Sequence, residues 1–272
     1  MVNAFKTAGF RLSDGAAWNA LWTGLIRPSK LKHMNEFQKL NHFAGAWNIG
    51  HKGNLWRNVQ RQRRRNGRDF ELAPNTYIFP EDYKRWQNDR EINNFKDMYI
   101  MKPTASSCGR GISVIDKKQQ VKKRSGYLVS KYISKPHLLR GYKYDMRIYI
   151  LVTSFEPLKA YFFEKGLVRL ATVPYSTAKG TLKKRFIHLT NFSVNKKNVD
   201  YKKNVGNGQA PVETDEVEMS SKWSLEELRK EYTKMGINFE EVFRNIKLLC
   251  IKTLMAVEPQ ITTAMRATKY RS

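Results

Sequence analysis

The sequence predicts an α+β fold, on three observations. Between Met98 and Thr172 it is a succession of short, closely spaced runs rich in β-branched and aromatic residues, the pattern of an antiparallel meander. Residues 54–65 form a separate and strongly basic stretch that suits a helix. Beyond residue 220 the pattern turns helical, with a capping signal and an apolar stripe.

Taken in order, residues 29–49 read as partly helical and end in an aromatic, glycine-containing patch from Asn41 to Trp47. Asn54 through Arg63-Arg64-Arg65 is the basic helix. Pro74 and Pro80 bracket a short extended piece, Thr76 to Phe79. Met98 to Met101 reads as a buried strand that Lys102-Pro103 ends. A Ser/Gly loop follows to Gly111, and Ile112 to Ile115 is the return strand of a hairpin. Tyr127 to Ile133 is a further strand, as is Met146 to Ser154. Lys159 to Phe163 and Leu167 to Thr172 read as two strands separated by Glu164-Lys165-Gly166. Residues 195–220 are polar and carry an acidic cluster, which predicts a surface loop. Ser224 to Met235 is a helix with Ser224 as N-cap and Glu227 as its capping-box partner. Phe239 to Val257 is a second helix, with Phe243, Ile246, Leu249, Cys250, Leu254 and Val257 on one stripe, and Pro259 ends it.

The chain has 272 residues, with 50 Lys and Arg against 24 Asp and Glu, for a formal net charge of +26. Residues 101–210 hold 23 basic and 5 acidic side chains, net +18, whereas residues 1–100 are +8 and residues 211–272 neutral. A field of that sign attracts polyanions: nucleic acid, anionic lipid or an acidic protein tail. A solvated basic surface is the plain alternative. The apolar share of 41% is too high for a generic disordered chain. No apolar run is long enough to suggest a membrane span, and the N-terminus lacks a secretory stretch, so no membrane partner is expected. Two cysteines, Cys108 and Cys250, make no disulfide framework, which suits a reducing compartment.

Several cations sit in or beside strands that otherwise need apolar residues. Lys102 closes one strand and opens the glycine loop; Lys131 lies within Val129-Ser-Lys-Tyr-Ile133. Lys143, Asp145 and Arg147 share one face of their strand, because side chains two apart point the same way. Arg169 lies within Leu167 to Ala171. A charge inside a sheet is costly unless it is paired or faces a ligand. A cation-lined cleft under a glycine loop fits a nucleoside triphosphate, with Gly109 and Gly111 permitting close backbone approach to phosphate. The loop is not a P-loop, since that spacing is absent. Duller alternatives stand beside each reading. Lys131 snorkels from a sheet edge, Asp145 and Arg147 pair structurally, and Arg169 belongs to the basic surface. Trp47 and Phe43 are core, and His188 is a satisfied structural histidine. Cys108 has no catalytic partner in the sequence.

At Lys102-Pro-Thr-Ala-Ser-Ser-Cys-Gly-Arg-Gly-Ile112 the chain resembles the tubulin tyrosine ligase-like family. Val129-Ser-Lys-Tyr-Ile133, Lys143-Tyr-Asp-Met-Arg147, Gly166-Leu-Val-Arg-Leu-Ala-Thr172 and His188-Leu-Thr-Asn191 continue the resemblance in order. Leu40-Asn-His-Phe43, Gly45 and Trp56-Arg57-Asn58 extend it upstream, and Trp223-Ser-Leu225 downstream.

The resemblance implies an ATP-grasp-like fold, incomplete at the C-terminus. Residues 1–97 would be an N-terminal and linker region, 98–140 the central region with the glycine-rich loop, and 141–272 the C-terminal region. The implied activity, by the polyglutamylase subgroup, is ATP-dependent addition of glutamate to glutamate side chains of tubulin through an acyl-phosphate. A tubulin glycylase and a catalytically inactive microtubule-binding remnant are the alternatives. The implied partners are acidic tubulin C-terminal tails and free glutamate, with nucleic acid disfavoured because the aromatics form no stacking platform. The implied location is the cytoplasm and cytoskeleton, with cilium or basal body as the finer address. By the same resemblance Lys102 and Lys131 hold ATP phosphates and the adenine region, and the backbone of Tyr132-Ile133 is the adenine hinge. Lys143 and Asp145 lie near the ribose and the incoming amino acid. Arg147 and Arg169 face the acyl-phosphate and the amino-acid carboxylate, Thr190 and Asn191 close on the nucleotide, and Lys39 matches an N-terminal phosphate lysine. The family usually has Arg where Cys108 stands, a small residue where Arg110 stands and Gln where Ser130 stands. Its Mg²⁺ ligands, an Asp and a Glu-x-Asn on closing strands, would lie downstream of Ser272, so no metal ligand is expected within the chain.

Overall fold

The computed structural model describes residues 1–13, 15, 17–25, 31, 33–201 and 220–268. The acidic cluster after residue 211 lies outside them. In chain order the elements are α1 (Val2–Thr7), β1 (Ala20–Leu21), β2 (Lys39–Leu40), α2 (Trp47–Gly50) and α3 (Lys52–Asn66). Next come β3 (Thr76–Phe79), α4 (Tyr83–Ile92), β4 (Tyr99–Pro103), β5 (Ser113–Ile115), β6 (Tyr127–Lys131), β7 (Leu138–Leu139), β8 (Tyr142–Phe155) and β9 (Leu158–Leu170). Two short turns, α5 (Arg185–His188) and α6 (Phe192–Asn195), precede β10 (Lys222–Ser224), α7 (Leu225–Lys234) and α8 (Phe239–Arg266). The mixed α+β class stands.

Two antiparallel four-stranded sheets carry the fold, in orders β3-β6-β4-β5 and β10-β9-β8-β7. The hairpin around the glycine loop is present, with Tyr99 opposite Ile115 and Met101 opposite Ser113. One face of the first sheet packs Tyr77, Phe79, Tyr99, Ile115 and Val129 against Trp86 of α4. Its other face places Ile78 and Leu128 against Trp56 and Val59 of α3, and Ile100 and Tyr132 against Leu189 and Val194.

The second sheet has a sharper division of faces. From Met146 onward β8 alternates, with Ile148, Ile150 and Val152 turned inward and Arg147, Tyr149 and Leu151 outward. Its inner face, with Val168 and Leu170 of β9, is covered by Trp223, Leu225, Leu228 and Tyr232. Farther along, Ile150, Val152 and Ala160 meet Leu254, Val257 and Ile261 of α8. The outer face presents Lys143, Asp145, Arg147 and Arg169 at one end and the exposed Tyr149, Leu151, Tyr161 and Phe163 at the other. Helix α8 therefore reaches three of the core clusters: Phe239 lies in the cluster behind β9, Ala256 against α3, and Val257 with Ile261 behind β8.

Three expectations are corrected. Residues 159–163 and 167–172 are not two strands. One strand, β9, runs through Glu164-Lys165-Gly166 by way of a bulge opposite Arg147 to Tyr149, and it ends at Leu170. Gly166 makes the bulge possible: a Cβ there would lie 2.6 Å from the Arg147 carbonyl oxygen and 2.8 Å from Leu225 Cδ1. Pro259 does not end the last helix, since α8 continues to Arg266. The exposed ring faces away from the core while Ala256, Val257, Ile261 and Thr262 are buried on either side of it. That two-sided burial outweighs the lost N–H. Among the described residues of 29–49, only Leu31 and the single turn α2 are helical. Side chains there compete for the backbone: Asn35 Oδ1 accepts from the Phe37 N–H at 3.0 Å and Gln38 Oε1 from the Asn35 N–H at 3.1 Å. The capping box at Ser224 and Glu227 is present as the sequence predicts, with the Glu227 N–H donating to Ser224 Oγ at 3.1 Å.

Two substitutions test these packing statements by urea unfolding. Gly166→Ala should destabilise by about 1–3 kcal/mol, because the clash is with backbone that cannot rotate away. Leu228→Ala, at a fully buried site behind β9, should lose about 2–5 kcal/mol.

Candidate active site

The two sheets approach each other where lysines face one another. Lys102 and Ile100 of β4 share a face with Leu128 and Ser130 of β6, by strand register. Lys143 reaches that face from β8: its Nζ lies 4.6 Å from the centre of the Tyr132 ring and donates to Tyr132 Oη at 3.1 Å. Lys52, at the start of α3, is the third member. Burial and the nearby Lys52 charge both lower the Lys102 pKa. Burial and the Lys102 charge push Lys143 down to about 8, against a smaller opposing pull from Asp145. Among the described residues none of these three lysines has a carboxylate partner within ion-pair distance.

The glycine loop, residues 104–112, is fastened beside this cluster through its carbonyls. Lys52 Nζ donates to the Ser106 carbonyl, Ser193 Oγ to that of Cys108 at 2.8 Å, and Arg185 Nη2 to that of Gly109 at 2.6 Å. Gly109 and Gly111 have φ of +73° and +68°, where a side chain is strained. A Cβ on Gly109 would come within 2.9 Å of Val194 Cγ2 and 3.0 Å of Asn191 Oδ1. Asn191 thus abuts the loop, and Thr190 lies in a small cleft with Arg169.

A hydrogen-bonded chain fixes Lys143. His188 Nε2 lies 3.2 Å from the Thr181 carbonyl, which only accepts, so Nε2 carries the proton. Nδ1 then accepts from Tyr132 Oη at 2.9 Å, and Tyr132 Oη accepts from Lys143. Burial and Lys143 lower the His188 pKa, which keeps the ring neutral and this arrangement intact. The histidine is structural in its packing but it orients the cluster.

On the same outer face of β8, Asp145 and Arg169 form a two-pronged pair, Nε to Oδ1 at 2.8 Å and Nη2 to Oδ2. Asp145 pairs with Arg169, not with Arg147. Arg147 is exposed and makes no hydrogen bond or ion pair among the described residues, so its guanidinium fork is free for an anion. Two other candidates lie apart from the cluster. Lys131 turns to the opposite face of the first sheet, where Nζ meets Asp97 Oδ2 at 2.8 Å. Lys39 lines a separate cleft with Met34, His42, Phe43 and Met265. Ile133 is exposed and Tyr132 buried, its N–H donating to the Met98 carbonyl at 2.8 Å.

Lys52 is not among the sequence candidates, because the basic pattern predicts a helix only from Asn54. Its signal was available: a lysine in the first turn opposes the helix dipole. Arg185, buckling the glycine loop to α5, was hidden in the Lys183-Lys184-Arg185 run.

Residues 29–272 match the family model described as the Tubulin-tyrosine ligase family. The chain belongs to the tubulin-tyrosine ligase family. Tubulin monoglutamylase TTLL4 of Mus musculus is 39% identical over 250 residues, covering 92% of this chain. Tubulin polyglutamylase TTLL5 of Mus musculus is 34% identical over 254 residues, again 92% of this chain. Tubulin polyglutamylase ttll-4 of Caenorhabditis elegans is 33% identical over 244 residues, 90% of this chain. The chain spans 20%, 18% and 38% of these relatives' lengths. The lysine cluster and the glycine loop lie within the part of the chain that matches the family model.

The Lys143 shift has a testable sign. Its folded pKa, about 8, lies below the unfolded value of 10.5, so the folded state binds fewer protons in that window. Its contribution to stability is therefore unfavourable below pH 8 and is relieved as pH rises from 8 toward 10.5. Lys143→Met should raise the ligand-free melting temperature at pH 7, and it should flatten the rise in stability of the parent protein between pH 8 and 10.5.

Proposed function

We propose that the chain is the catalytic part of an ATP-dependent ligase that adds glutamate to glutamate side chains of tubulin through an acyl-phosphate. The observation that carries this reading is the cluster of the desolvated Lys102 and Lys143 with Lys52, beside a carbonyl-tethered glycine loop, in a member of the tubulin-tyrosine ligase family. Like charges that have no carboxylate partner among the described residues fit the phosphates of a nucleotide, whose negative charge relieves their mutual repulsion.

Bound ATP supplies the phosphoryl group that activates an otherwise unreactive carboxylate. The chain's own residues then divide as follows. Lys52, Lys102 and Lys143 hold the phosphates, and the backbone at Gly109 and Gly111 allows them to approach. Tyr132-Ile133 offers its backbone to the adenine, and Thr190 with Asn191 closes the nucleotide side. Arg147 takes the amino-acid carboxylate in its free fork. Asp145 is a positioning residue that holds Arg169 against the same end of β8. His188, acting through Tyr132, is a positioning residue for Lys143. Lys131 and Lys39, each turned elsewhere, receive no phosphate. Among the described residues no group of three or more His, Cys, Asp or Glu side chains could hold a metal ion, so none is assigned to Mg²⁺. ATP-grasp architecture, tubulin tails as partner and a cytoskeletal location, with cilium or basal body as its finer form, belong to the same proposal.

The test is intact-mass analysis of tubulin incubated with the protein, ATP, Mg²⁺ and glutamate. ATP-dependent increments of one glutamyl residue are expected. Glycyl increments with glycine would reassign the amino acid, and no increment under either condition would overturn the ligase assignment. Separately, Arg147→Ala should raise the KM for glutamate by about tenfold or more while leaving nucleotide affinity unchanged, as loss of a charged hydrogen-bond pair implies. Lys102→Ala should do the reverse.

A further inference from the structure

A second concentration of charge lies outside the lysine cluster. The crossover between β5 and β6, residues 116–126, carries Lys117, Lys118, Lys122, Lys123 and Arg124 against one acid, Asp116. All five cations are exposed, and none forms an ion pair among the described residues. A run of like charges is ordinarily a flexible, solvated loop. This one is fastened down. Arg90, 2% exposed, projects from α4 and donates to the Lys117 carbonyl and, at 3.2 Å, to that of Gln119. Its guanidinium lies over Trp86, 4.4 Å from the ring centre, and 5.2 Å from that of Phe95. Tyr83 Oη donates to the Val121 carbonyl at 2.7 Å. Asp116 and Gln119 close the first turn, with the Gln119 N–H on the Asp116 carbonyl at 3.1 Å.

The far end of the crossover meets the base of the glycine loop. The Gly126 carbonyl accepts from the Thr104 N–H at 2.9 Å and from Thr104 Oγ1 at 3.1 Å. Lys122, Lys123 and Arg124 therefore sit a few residues from the strand end where the glycine loop starts, and Lys102 is at that same end, opposite Leu128. Carbonyls hold the loop in place while its cationic side chains stay unpaired, a surface built to meet negative charge with little ordering left to do.

We propose that residues 116–126 form a docking arm for an acidic peptide segment, which they direct toward the glycine loop. The proposal deepens the ligase reading by assigning a binding surface to its acidic acceptor. A peptide is favoured over nucleic acid because the arm presents no exposed aromatic ring on which a base could stack.

The test uses the whole chain and a fluorescent oligoglutamate peptide, read by anisotropy at fixed ionic strength. One variant is Lys122→Ser/Lys123→Ser/Arg124→Ser. A second removes the same charge elsewhere, Arg64→Ser/Arg65→Ser/Arg68→Ser, at exposed positions at the far end of α3 and just beyond it. Loss of three exposed ion pairs at the arm should weaken peptide binding by about tenfold, with the second variant within about twofold of the parent. Equal weakening by both variants, or none by the first, would overturn the docking arm. So would a larger effect of the first variant on duplex DNA or single-stranded RNA than on the peptide. ATP affinity, measured on all three proteins, should be unchanged by either variant. Failure of every form to bind ATP would sink the ligase reading while leaving the peptide result to decide the arm.

Discussion

The electrostatic problem at the meeting of the two sheets governs much of what surrounds it. Three ammonium groups share one face, where Lys102 feels the charge of Lys52 and Lys143 feels that of Lys102, both against the cost of burial. Proteins seldom tolerate such an arrangement without carboxylates. Instead this chain supplies weaker, neutral partners: the Ser106 carbonyl for Lys52, and the Tyr132 hydroxyl and ring for Lys143. Burial lowers the His188 pKa first, and the Lys143 charge adds to it, since a second positive charge behind Tyr132 would add to the repulsion. A site of this kind leaves its strongest interaction unmade until an anion arrives.

The neighbouring Asp145–Arg169 pair shows the opposite solution on the same strand face. Its charges are matched by two hydrogen bonds, and among the described residues it leaves Arg147 without a partner one ladder step away. Matched and unmatched cations thus stand side by side. The difference between them separates scaffold from ligand contact better than charge alone does.

Much of this was legible in the sequence, for identifiable reasons. The hairpin around the glycine loop, the capping box at Ser224 and the shared face of Lys143, Asp145 and Arg147 all follow from short-range patterns of period two or from fixed capping offsets. What was hidden depends on contacts distant in sequence. Lys52 joins the site only because α3 is laid against the first sheet. Pro259 is carried inside α8 because buried residues flank it, and Gly166 marks a bulge, not a break, because Arg147 runs alongside. Lys131 and Lys102 both sit on strands of one sheet, and the register that sends them to opposite faces is a property of the pairing, not of either strand.

Helix α8 joins parts that would otherwise be separable. Its first turn seals the cluster behind β9, its middle closes the space between α3 and the first sheet, and its later turns brace β8. Where α8 covers them, neither sheet can lose that covering without loosening the other. The molecule should accordingly lose structure in a single concerted transition, with the slowest-exchanging amides drawn from both sheets alike.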